Sequence, residues 1–126
     1  MSDIKPQILV AEDEAMLRLI AVEMLEDAGF EVFEASDGVE ALTLLKANPE
    51  IALLISDIKM PRLDGYGLIE AGLALKPNLK VLLMTGYADV PLPSQLKARD
   101  IQILHKPFML DDLCAIAASI VTENRP

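Results

Sequence analysis

Five short apolar runs recur along the chain, and the segments between them change period from two to nearly four. Gln7 to Ala11 reads as a strand. After it, Met16, Ile20, Met24 and Ala28 fall on one helical face, with Leu17, Ala21 and Leu25 beside them. Gly29 is placed to end that helix, because glycine reaches positive φ without steric cost. Glu31 to Ala35 is a second, short strand. Asp37, with Glu40 three residues on, has the capping-box spacing and opens a helix through Ala41, Leu44 and Leu45, which Asn48-Pro49 stops.

The run Ile51 to Ser56 is continuously apolar, as expected of a strand covered on both faces. Pro61 and Asp64-Gly65 predict a turn, followed by a helix from about Tyr66 to Leu75. Pro77-Asn78 breaks the chain before a strand over Lys80 to Met84. Pro91 and Pro93 exclude a regular helix before about Ser94, which leaves a short fourth helix ending near Arg99. Ile101 to His105 is the fifth strand and Leu110 to Val121 the final helix. Strands alternating with helices favour an α/β fold, a doubly wound parallel sheet joined by right-handed crossovers. The order 2-1-3-4-5 is assumed for such a five-stranded, flavodoxin-like (βα)5 sheet, and it places strands one and three side by side at the switch point. One domain is expected over residues 1–126, with its core at about 7–121.

Composition narrows the function classes. At 126 residues and 52% apolar content the chain is long enough for one real core, and disorder is not expected. Twenty acids against 11 bases give a net charge of −9, which argues against nucleic-acid binding by this chain, since phosphate contacts need clustered Lys and Arg. Apolar stretches such as Leu113 to Ala118 are far short of a bilayer span, and no secretory signal opens the sequence. Cys114 has no second cysteine to pair with and reads as an inert core thiol, so the cytoplasm is the expected compartment.

Polar residues end the apolar runs, and there the chemistry collects. Glu12 and Asp13 follow the first strand, Asp57 the third, Thr85 the fourth and Lys106 the fifth. In a parallel sheet these carboxyl ends share one edge, where ligands bind. Two carboxylates about 4 Å apart repel by roughly 4 kcal/mol at an effective dielectric near 20, so three together hold protons or recruit a cation. Hard oxygen ligands without His or Cys favour Mg²⁺, which binds alongside phosphate. The plainer reading of each acid is a cap: Asp13 for the first helix, Asp57 for the turn after strand three. Lys106 alone has a lesser reading as a surface lysine snorkelling off the sheet, and His105 reads as a packed or rim residue pointing to the opposite side of its strand.

Taken jointly, Leu9-Val-Ala-Glu-Asp-Glu14, Ser56-Asp-Ile-Lys-Met-Pro-Arg-Leu-Asp-Gly65, Met84-Thr-Gly-Tyr87 and Lys106-Pro-Phe108 resemble a response regulator receiver domain of two-component signalling. The resemblance runs from about Ile8 to Val121. It implies that Asp57 accepts a phosphoryl group, that Glu12, Asp13, Asp57 and the Lys59 carbonyl hold Mg²⁺, and that Thr85 and Lys106 contact phosphoryl oxygens. It also implies a cis peptide between Lys106 and Pro107. Gly86 leaves room for the donor, and Lys59 and Tyr87 stand where the family tunes the phosphoryl lifetime. The implied partners are a sensor histidine kinase or histidine phosphotransfer protein and a downstream protein target.

Two positions depart from the family pattern. Ile103 stands where many receivers carry an aromatic switch residue; it is expected to be plain core, and Tyr87 either reports the state instead or is a surface tyrosine covering the rim. The proline-broken fourth helix suggests a reshaped output face and a monomer or weak dimer. The lead expectation is a stand-alone receiver, not a conventional enzyme; the alternative is a receiver fragment of a larger regulator or hybrid kinase. A Mg²⁺-dependent aspartyl phosphatase of the haloacid-dehalogenase type fits less well, because its nucleophile follows the first strand and a second Asp stands where Lys59 is.

Overall fold

Strand β3, Ile51–Asp57, is the centre of the molecule, and its apolar run is covered on both sides. Around it the computed structural model, which describes residues 5–85, 101–106 and 110–123, arranges β1 (Gln7–Ala11), β2 (Glu31–Ala35), β4 (Lys80–Thr85) and β5 (Ile101–His105). All pairings are parallel, as the alternation predicts, and the order is β2-β1-β3-β4-β5, the one assumed for such a sheet. The described helices are α1 (Ala15–Asp27), α2 (Gly38–Ala47), α3 (Gly65–Leu75) and α4 (Leu110–Glu123). The short helix expected before Arg99 lies outside the described residues.

Strand alternation splits the core into two layers. Leu9, Ala11, Leu54, Val81 and Leu83 pack with Ala41, Leu45, Leu68 and Ile69 of α2 and α3. On the other face Ile8, Val10, Leu53, Ile55, Leu82 and Met84 meet Ala21, Val22 and Leu25 of α1 and Leu113, Ala117 and Ile120 of α4. The crossovers leave every strand's carboxyl end on one edge. Ala11 is level with Ser56, Asp57 with Met84, and Thr85 with His105.

The helix ends follow their sequence signals. Asp37 Oδ1 accepts from the Glu40 amide at 2.7 Å, and Glu40 Oε1 reaches back to the Ser36 amide and hydroxyl. Asp64 caps α3 through the Gly67 amide. Gly29 takes φ 104°, ending α1 as expected.

One point that the helical period leaves open is decided here, and one expectation needs correction. The face of α1 that enters the core carries Ala21, Val22 and Leu25; Met16, Leu19 and Ile20 are exposed, Met16 at 68%. Two apolar stripes run side by side on this helix, and the one whose side chains reach the sheet wins. Ile103, expected as plain core, is 38% exposed. It sits on β5, which among the described residues pairs with β4 alone and stands at the end of the sheet.

Candidate functional site

Glu12 enters the site directly from β1 and is almost fully buried, which a carboxylate tolerates only with partners. Its amide donates to the Ala35 carbonyl at 3.0 Å, and its own carbonyl accepts from Arg18 Nη1 at 2.8 Å. Its Oε2 accepts from the Glu14 amide at 3.0 Å, and Oε1 faces Lys106 Nζ at 3.3 Å. Asp57, at the end of β3, is held from two sides. Oδ1 accepts from the Ile58 amide at 2.7 Å, and Oδ2 pairs with Lys106 Nζ at 3.0 Å. The Lys106 amide donates to the Thr85 carbonyl at 2.7 Å, which ties the two strand ends together.

Carboxylate oxygens of Glu12, Asp13 and Asp57 all lie within 4.8 Å of one another. Asp13 is exposed and does not cap α1, whose N-cap is Glu14 with no side-chain cap. Asp13, Ile58, Lys59, Met60 and Asp64 line an open cleft beside the cluster. Thr85 is buried at the end of β4. His105 is exposed. Gly86, Tyr87 and Pro107, and with them the expected cis peptide and the Tyr87 switch, lie outside the described residues.

The electrostatics follow from this crowding. Burial pushes the Glu12 carboxyl up to about 7; the Glu14 amide opposes that, the Asp57 charge reinforces it, and Lys106 opposes it again. For Lys106, burial pulls the ammonium down, but the hydrogen bond and charge of Asp57, then those of Glu12, hold it above its ordinary value. One ammonium thus serves two carboxylates, with a third alongside. All-oxygen donors, one of them exposed beside an open cleft, suit a hard divalent cation that keeps part of its water.

Sequence reasoning found the residues that meet here but missed those that hold them. Arg18 ties the Glu12 carbonyl to Glu34 on β2, with Nε 3.0 Å from Glu34 Oε1. Arg62 binds Asp37 at the start of α2. Both arginines read as ordinary surface charge, and no local pattern marks the backbone and side-chain partners that the fold supplies.

Comparison with known proteins agrees with this geometry. The family model described as "Response regulator receiver domain" matches residues 8–118. The chain is 40% identical over 108 residues to the "Response regulator receiver protein CpdR" of Brucella abortus, covering 85% of this chain and 89% of that one. It is 34% identical to part of the "Sensor kinase CckA" of the same organism, covering 93% of this chain but 13% of the kinase. Among solved structures, a response regulator receiver domain protein from Clostridium thermocellum superposes with a TM-score of 0.85 at 28% identity, over 94% of this chain and 95% of that one.

Proposed function

From the premise that the chain belongs to the response regulator receiver family, we propose that it is a Mg²⁺-dependent phosphorylation switch with Asp57 as the phosphoryl acceptor. The observation that carries this reading is Lys106 Nζ held between Asp57 and Glu12 at the sheet edge, beside a third carboxylate. In the proposed reaction an Asp57 oxygen attacks phosphorus in line. The new O–P bond forms as the P–N bond of a phosphohistidine breaks, and the imidazole leaves with the electron pair. Glu12, Asp13, Asp57 and the Lys59 carbonyl would hold Mg²⁺, which neutralises phosphoryl charge when bound. Lys106 is already oriented toward Asp57, so its ammonium passes to a phosphoryl oxygen with little rearrangement. Thr85, joined to Lys106 through its carbonyl, supplies the hydroxyl that follows the new charge. The group added brings about −1.5 to −2 charge, and two charge-assisted bonds at roughly 1.5–3 kcal/mol each suffice to move a two-state equilibrium.

The donor is a sensor histidine kinase or a histidine phosphotransfer protein, and output runs through protein contacts. A stand-alone role is supported by the match to most of the length of the CpdR protein. The match to part of CckA favours a second reading, a receiver segment of a hybrid kinase.

Acetyl phosphate with Mg²⁺ is expected to add one phosphoryl group to the intact mass, with the modified peptide containing Asp57, and EDTA is expected to prevent it. Absence of both an adduct under rapid quenching and beryllofluoride binding would reject the switch.

A pH dependence follows from Glu12. Its carboxyl lies near 7 in the folded protein against 4.5 ordinarily, so folding takes up a proton there. The stability this group contributes is therefore present at low pH and lost as pH rises through about 7. Metal-free protein is expected to lose ~5 °C in Tm between pH 6 and pH 8, and Mg²⁺ to restore it at pH 8. Conversely, protons compete with Mg²⁺ below that range, weakening it by up to about tenfold per pH unit. Calorimetric titrations at three pH values check this, and Glu12→Gln is expected to flatten both trends.

A further inference from the structure

Asp37 divides its carboxylate between two jobs. Oδ1 accepts from the Glu40 amide at 2.7 Å and fixes the start of α2. Oδ2 takes Arg62 in a fork, Nη2 at 2.9 Å and Nε at 3.2 Å. Arg62 itself stands at φ 70°, the one non-glycine residue at positive φ among the described residues, a conformation an L side chain keeps only when its surroundings impose it. The same junction is pressed together by backbone: a Cβ on Gly38 would stand 2.0 Å from the Leu63 carbonyl oxygen.

The loop between β3 and α3 is thus pinned at three places. At its start the Ile58 amide donates to Asp57 Oδ1. At its end the Gly65 amide donates to the Ile58 carbonyl at 2.7 Å. At its apex Arg62 rests on Asp37. Lys59, which lines the cleft with Asp13, lies between the first pin and the apex.

We infer that Arg62 is a positioning residue: clasped to Asp37, it sets the loop that presents the Lys59 carbonyl to the metal, so the start of α2 is part of the metal site's support. The inference rests on the receiver reading of the site. The backbone bond from Glu40, opposed by partial burial, and then Arg62 hold the Asp37 carboxyl below the usual carboxylate range, so the clasp is charged at neutral pH. Arg62 is 60% exposed, so the expected effect is modest and screened by salt.

Two substitutions separate the clasp from plain turn chemistry. Arg62→Gly removes the ion pair while relieving the positive φ, so thermal stability is kept or raised. Asp37→Asn removes the charge facing Arg62 but keeps an oxygen for the Glu40 amide, so the α2 cap survives. Each is expected to weaken Mg²⁺ binding about three- to fivefold by calorimetry at low salt, and the double variant no further, because both break one contact. Arg62→Lys is expected to fall between Gly and wild type. Phosphorylation by acetyl phosphate should shift its half-saturating Mg²⁺ in the same ratio and return to the wild-type rate at saturating Mg²⁺. Wild-type Mg²⁺ affinity in both single variants, or losses that multiply in the double variant, overturns the clasp while leaving the receiver reading intact. A wild-type protein that neither binds Mg²⁺ nor takes a phosphoryl group removes the receiver reading, and the clasp's role with it.

Discussion

Asp57→Asn is expected to abolish the acetyl phosphate adduct outright while leaving the fold in place. Asparagine has the same shape, and its Oδ1 can go on accepting the Ile58 amide that now donates to Asp57 at 2.7 Å. What changes is chemistry. An amide oxygen is a far poorer nucleophile than a carboxylate, and the amide nitrogen turns a donor toward the Lys106 ammonium, which now pairs with Asp57 Oδ2 at 3.0 Å. Two effects on stability oppose each other. Relief of the repulsion between Asp57 and Glu12 favours the variant, and loss of the Lys106 pair disfavours it, at a site where Lys106 is partly exposed. The Tm is therefore expected to stay within about 3 °C of wild type. Mg²⁺ affinity should fall by ~10-fold or more, since one of the three carboxylates proposed to hold it is gone. Intact mass, thermal melting and calorimetry on one preparation check all three. An adduct that survives in the Asn variant places the acceptor elsewhere and ends the case for Asp57.

The sequence made some of this legible for definite reasons. Strands covered on both faces are apolar almost throughout, so the run from Ile51 announced itself and carried Asp57 to a known end of the sheet. The residues that end the runs converge because parallel strands share an edge, and Lys106, though 49 residues from Asp57, needed no contact information to be placed beside it. Other features need the third dimension. The apolar positions of α1 form two neighbouring stripes, and period alone does not say whether Met16 and Ile20 or Ala21, Val22 and Leu25 meet the sheet. Ile103 has the composition of core, yet an edge strand leaves it partly bare. Glu12 was legible as a candidate metal ligand. That its carboxyl lies near 7 was not, because the shift comes from burial, which depends on what packs over it. The left-handed turn at Arg62 is opaque for a similar cause: the residue that its side chain pairs with, Asp37, lies 25 residues away.

Gly65→Ala is expected to damage both fold and site, because of space and not of backbone angle. A Cβ at this position would lie 2.2 Å from the Asp57 carbonyl oxygen, 2.9 Å from Ile58 Cα and 3.0 Å from the Asp57 carbonyl carbon. All three are backbone atoms, so no side-chain rotation makes room. The chain must open where the Gly65 amide donates to Ile58 at 2.7 Å, or the end of β3 must move. Overpacking of this kind costs about 3 kcal/mol, the upper part of the usual range, since neither partner yields. For a domain of this size that lowers Tm by roughly 10–15 °C. The functional loss should exceed what stability explains. Asp57 is the residue displaced, and a shift of about 1 Å at a reacting group can cost on the order of 100-fold in rate. The rate of phosphorylation by acetyl phosphate is therefore to be compared with wild type at a temperature where circular dichroism shows the variant fully folded. A rate within threefold of wild type there would mean that the loop yields on the side away from Asp57, and that Gly65 matters to stability alone.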